Sequence, residues 1–185
     1  MKKILFAAAF CCLFAVGTFA QAKTADFSGT WTLDVSKSKL DERSRIESMT
    51  MTVAQTAKDI KVDSKMTRTP RPDAAQAGTG GGAGMGRGGG MGNGESSMSY
   101  TLDGKETTIQ QESPRGTTPV KLSAKLDAST LNLASSRTFT TPNGDMTSTT
   151  KETWTLSPDG KTLTVNRENT TPRGTNSSTM VFVKK

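Results

Sequence analysis

The chain has 185 residues, a formal net charge of +7, no histidine, and two cysteines, Cys11 and Cys12, near its start. Beyond residue 22 it therefore has no thiol nucleophile, imidazole base, disulfide or customary zinc ligand to offer. Its basic residues are dispersed, without a run or a basic–aromatic alternation, which argues against a nucleic-acid surface and for solvated faces.

Lys2 and Lys3 precede an apolar run from Ile4 to Ala20, and Ala20-Gln21-Ala22 supplies a small-x-small cleavage site. Charged head, apolar stretch and small residues are the layout of a secretory signal peptide over 1–22. This predicts an exported product, periplasmic or extracellular, with no integral membrane span after cleavage. Neither cysteine follows a Leu-x-Gly/Ala triplet, so no lipid anchor is expected. The body, 23–185, has a length that suits one domain. Without Lys2 and Lys3 its net charge is +5.

The body is rich in Thr and Ser and poor in large apolar residues. Its apolar residues alternate with polar ones along short runs, and turn dipeptides punctuate the runs, as in half-buried strands. In chain order, strands are expected at about 27–33, 47–55, 58–66, 96–102, 105–112, 119–127, 130–140, 146–157, 161–169 and 176–184. Thr suits such positions because its β-branched side chain fits a pleated, solvated face. A short helical turn fits within 35–45, and no long helix is expected. The fold class is all-β: an antiparallel up-and-down meander of about 8–10 strands.

The turns at Asp103-Gly104, Pro114-Arg115-Gly116, Pro142-Asn143-Gly144, Pro158-Asp159-Gly160 and Pro172-Arg173-Gly174 fix expected registers. Centring on Asp159-Gly160 sets Leu156 opposite Leu163, Trp154 opposite Val165 and Glu152 opposite Arg167. Centring on Asn143-Gly144 sets Leu131 opposite Leu156 and Leu133 opposite Trp154. Centring on Arg173-Gly174 sets Phe182 opposite Val165. The apolar row that results is Leu133, Trp154, Val165, Phe182, and agreement of that kind marks a buried face. Met98 is expected opposite Ile109, Ile109 opposite Leu122, Leu126 opposite Leu131 and Val53 opposite Val62. A faint echo, "WTLD", "YTLDGK" and "WTLSPDGK", reads as reused strand-and-turn chemistry.

A Gly-rich stretch, 78–94, lies within a connection at about 68–95. A phosphate cradle needs a strand before it and a helix N-terminus after it. No helical pattern follows, and Lys is absent from the stretch, so a disordered loop is expected, with a flap over a barrel mouth as the alternative. Elsewhere, Asp103, Asp127, Asp145 and Asp159 read as turn formers. No carboxylate pair, nucleophile elbow or Asp-x-Asp-x-Asp-Gly metal loop can be picked out. No enzyme activity, metal or cofactor is expected.

One polar group stands out on the expected inward face. Arg137, Glu152 and Arg167 share the face of Trp154, and buried charges are costly unless paired or solvated. They form either a structural ion-pair network or a head-group site whose surplus guanidinium meets an anion. With Tyr100 and Phe182 they make up the candidate ligand-facing set.

Residues 27–34, "FSGTWTLD", resemble the Gly-x-Trp first-strand signature of lipocalins and related calycins. They are also similar to the F-x-G-x-W-x-L-D-x-x-K-S openings of secreted bacterial proteins described as lipocalin-like. The resemblance implies a barrel closed at one end by Gly29 and Trp31, with a basic residue, Arg167 or Lys184, over the tryptophan. It also implies a monomer that binds a small hydrophobic or amphipathic molecule. About ten strands enclose more volume than these apolar side chains fill, and Ala124, Ser135 and Thr150 leave room for a ligand cavity or a solvated interior. The alternative function is a structural or protein-interaction module of the cell envelope with no cavity ligand.

Overall fold

The computed structural model describes residues 24–41, 44–69, 94–113, 116–141 and 144–185. The leader expected at 1–22 and nearly all of the Gly-rich connection lie outside the described residues. Within them the fold is all β. The strands are β1 (Gly29–Leu33), β2 (Ile46–Gln55), β3 (Asp59–Arg68), β4 (Gly94–Thr101), β5 (Thr107–Ser113), β6 (Gly116–Asp127), β7 (Thr130–Thr141), β8 (Gly144–Leu156), β9 (Thr162–Thr171) and β10 (Gly174–Lys184). A single 3-10 turn, Val35–Lys37, follows β1, with the Asp34 side chain accepting from the Lys37 amide at its start.

The ten antiparallel strands form one sheet in the order β4-β3-β2-β1-β10-β9-β8-β7-β6-β5. First and last strands pair, Trp31 opposite Lys184 and Leu33 opposite Phe182, so the meander curls into a nearly closed barrel. The open seam lies between β4 and β5. The expected Met98–Ile109 pair is therefore absent: the chain leaving β4 crosses to β6 instead, where the Gly104 amide donates to the Ala124 carbonyl and Asp103 bridges Lys125.

Alternation along each strand sorts the side chains. The outward positions explain the wealth of hydroxyls: Thr153 donates to Asn132, Thr179 donates to Asn166, and Thr138–Thr147 and Thr170–Thr175 share hydrogen bonds across strands. The inward positions build a core that is concentrated toward one end. Trp31, Phe27, Trp154, Leu131, Leu163 and Phe182 are all fully buried there. Phe27 comes from the segment ahead of β1, which crosses this end of the barrel and plugs it. The Ala25 amide donates to the Ala128 carbonyl, Gln55 bonds both Ala25 and Phe27, and the Phe27 ring meets Trp154 edge-on at 6.1 Å.

Three expected registers are displaced by two residues. Leu131 stands opposite Trp154, Met180 opposite Val165, and Val120 opposite Ile109. The cause is common to the three Pro-x-Gly turns. In each the glycine is the first residue of the next strand and pairs with the last residue of the one before, Ser113 with Gly116, Thr141 with Gly144 and Thr171 with Gly174, with Gly144 at φ +101° and Gly174 at φ +127°. The β8–β9 turn differs. There the Ser157 amide donates to Thr162 and the Gly160 amide to Ser157, so the loop centres on Asp159-Gly160. The expected Trp154–Val165, Glu152–Arg167 and Leu156–Leu163 pairs are all present, as are Leu126–Leu131 and Val53–Val62. A shift of two preserves the face of every side chain. It changes rungs only, and the continuous apolar row becomes Leu131, Trp154, Val165, Met180.

Candidate functional site

At the plugged end, Gly29 and Trp31 form a compact unit. Trp31 is fully buried and donates its indole N–H to the Phe27 carbonyl at 2.9 Å. Lys184, its partner across the β1–β10 ladder, lays its ammonium 5.2 Å from the ring centroid. The Lys184 stem reaches the ring by passing over Gly29, where a Cβ would sit 2.6 Å from Lys184 Cε. The cation over Trp31 is thus Lys184, and Arg167 is engaged elsewhere.

Arg167 faces Glu152 one rung beyond the Trp154 row. Its Nε donates to Glu152 Oε1 at 2.6 Å, its Nη2 lies 2.6 Å from the same oxygen as an ion pair, and the Trp154 indole donates to Oε2 at 2.8 Å. The pair is shielded, with side chains only 19% (Arg167) and 14% (Glu152) exposed. Both carboxylate oxygens are occupied, so Glu152 acts as a structural acceptor for its two neighbours.

Tyr100, on β4, closes the same space from the opposite wall. Its hydroxyl donates to Met98 Sδ at 3.2 Å. Burial pushes its pKa well above the ordinary tyrosine value, the Glu152 charge adds to this, and Arg167 and Arg137 oppose it. A small cavity of about 40 Å³ remains between Tyr100, Glu152, Trp154, Arg167, Ser64 and the methionines 49, 51 and 98. It is large enough for a few waters, and well below the roughly 300–1,000 Å³ of a small-molecule pocket.

Arg137 does not join the Glu152–Arg167 pair. The two-residue shift sets it opposite Ser148 and Val120, two rungs from Glu152, or about 13 Å of strand. It is half-buried, and burial depresses its pKa. Among the described residues no hydrogen bond or ion pair to it is found. Arg68, at the end of β3, adds a third inward arginine. Burial lowers its pKa, with Arg167 and Arg45 contributing by repulsion. The barrel interior thus grades from a dry aromatic end to a polar end holding Arg68, Arg137, Arg167, Ser148, Thr150 and Asn169.

Of the sequence-derived set, Tyr100, Glu152, Trp154 and Arg167 come together, Arg137 lies further toward the polar end, and Phe182 lies one rung from the Trp154 row on the plugged side. Phe182 is fully buried beside Leu33 and Leu163 in the plugged end. Sequence reading missed Arg68 because it abuts the Gly-rich connection, although its parity with Ser64 and Met66 was available. A wider depression of about 260 Å³ lies among the outward-facing Ser123, Lys125, Asn132, Ala134, Lys151 and Thr153. Among the described residues there is no cluster of three metal-ligating side chains, and no helix long and apolar enough to cross a membrane.

No protein-family model matches the chain, and no curated protein matches it in sequence. Among solved structures, the chain is similar to the zebrafish ileal bile acid-binding protein complexed with cholic acid, with a TM-score of 0.49 and 14% identity, over 86% of this chain and 98% of that one.

Proposed function

We propose that this chain is an exported, non-enzymatic, monomeric barrel of the lipocalin-like type that holds a small anionic amphiphile at its polar end. The observation that carries the reading is Arg137: an inward-facing, half-buried guanidinium with no counter-ion among the described residues. Desolvating a guanidinium without a carboxylate is unfavourable, and an anionic head group would relieve it with charge-assisted hydrogen bonds. Arg167 cannot serve, because Glu152 already satisfies it. Gly29, Trp31 and Lys184 take the role of closing the opposite end, and the leader at 1–22 supports export.

The test is a matched pair of titrations, a fatty acid and its methyl ester, against the native protein and Arg137→Gln. The native protein should prefer the acid by about tenfold, and the variant should lose that preference. Equal affinity for acid and ester removes the head-group role. A second reading, a cell-envelope β module without a ligand, is favoured by the 40 Å³ interior, and absence of binding by both probes would establish it.

A further inference from the structure

The barrel wall is split at its polar end. β6 and β7 pair from Asp127–Thr130 only as far as Val120–Arg137. Beyond that rung β6 continues to Gly116, paired with β5, and β7 to Thr141, paired with β8, but not with each other, and the first β6 residue past the β7 ladder is Pro119, which has no N–H to donate. On the other side, β8 pairs with β9 only from Thr149 onward. Among the described residues, the ladder that holds 138–141 and 145–148 is that of the β7–β8 hairpin itself, so this part of the hairpin extends as an arm beyond the β6–β7 and β8–β9 ladders.

The arm carries a cross-strand pair, Phe139 opposite Met146, in the same parity as Arg137. Phe139 is 40% exposed, one of three large hydrophobics with that much exposure among the described residues. A guanidinium at the vertex of the split and an apolar pair two residues further along the same face make an amphipathic strip. The void between Tyr100, Glu152, Trp154 and Arg167 is about 40 Å³, too small to seat an alkyl chain.

Resting on the reading of the barrel as a holder of an anionic amphiphile, we infer that the seat is this lateral split. The head group lies on Arg137, and a single alkyl chain lies along the Phe139–Met146 face of the arm, outside the aromatic core. The occupant is a single-chain anion, since the strip offers one cation and one narrow apolar track.

The seat is tested with dodecanoate and a dodecanoate brominated at its chain end, both below their micellar concentrations, on the purified protein. Both tryptophans are buried on the core side, so a brominated chain end inside the barrel quenches their fluorescence by contact. The expected result is binding without quenching, and a loss of affinity of about tenfold in Phe139→Ser and again in Met146→Ser. Two exposed-arm variants are used so that a folding defect in one does not decide the outcome. Binding with strong quenching places the chain in the core, and full affinity in both variants places it off the Phe139–Met146 face; either overturns the seat while leaving the holder reading intact. No binding of dodecanoate to the native protein overturns both.

Discussion

Adding one methyl group at Gly29 would have two separable costs. The steric one is small, because the atom it meets belongs to the flexible end of Lys184. The backbone one is not, since φ is +136° and an L side chain is strained there. Gly29→Ala should lose about 1–2 kcal/mol in chemical unfolding, and most of that loss should persist when Lys184 is first trimmed to alanine. If the loss vanishes in that background, the close approach matters rather than the backbone. Glu152 sets a larger stake. Glu152→Met strands a shielded guanidinium and an indole N–H, for a cost of about 3 kcal/mol, whereas Glu152→Gln keeps an acceptor for Trp154 and should cost less. Pairing Glu152→Met with Arg167→Met should cost clearly less than the two single changes together. The Glu152–Arg167 contact was legible in the sequence because one turn, Pro158-Asp159-Gly160, set it. Isolation of Arg137 was not, because its rung depends on the Pro142-Asn143-Gly144 sequence, where a triplet differing only by Asn for Asp leaves the glycine in the strand.

Strands and faces were readable for a physical reason: alternation survives any even shift, so parity is robust where register is fragile. The three repeats of aromatic-Thr-Leu illustrate what local chemistry does specify. Asp103 and Asp159 each accept the amide of a lysine two residues on, at 3.0 Å, and Asp34 starts the 3-10 turn. In each case an inward aromatic, Trp31, Tyr100 or Trp154, sits a few residues ahead of an aspartate that ends the strand. The β4–β5 seam was not readable, because "LDGKE" is good hairpin chemistry and nothing local reports that Gly104 is claimed by Ala124 across the barrel. The same ladder pattern predicts where the molecule opens. Amides of Leu131, Leu133, Trp154 and Val165 lie in doubly paired, buried strands and should show the slowest hydrogen exchange. Amides in the overhanging parts of β7 and β8, flanked on one side only, should exchange orders of magnitude faster at the free edge. Protection of Thr138–Thr141 equal to that of the core would mean that the arm is covered.

At the scale of the whole molecule, burial and charge combine into one pH profile. Asp34, Asp63, Asp103 and Asp159 all have folded pKa values below the ordinary 3.8. The leading causes are hydrogen bonds from Ser36, Ser97, the Lys105 amide and Ser157 respectively. Depressed carboxylate values contribute stability that is fully present above the unfolded value and is lost as pH falls through the folded ones. With no histidine in the chain, no side chain of ordinary pKa titrates between about pH 5 and 8, so the melting temperature should be flat there and fall below about pH 4. The alkaline limb belongs to Tyr100. Its folded pKa is raised above the ordinary 10.0, chiefly by burial, so the phenol's contribution is fully present below pH 10 and is lost as pH rises through the folded value. Because the chain has one tyrosine, the phenolate absorbance band reports this residue alone. It should stay absent until the barrel unfolds and then appear with the same midpoint as the loss of sheet signal. In Tyr100→Phe the alkaline decline should shift to higher pH. A phenolate that forms near pH 10 while the sheet is intact would put Tyr100 in water, and with it the wall that faces Glu152 and Arg167.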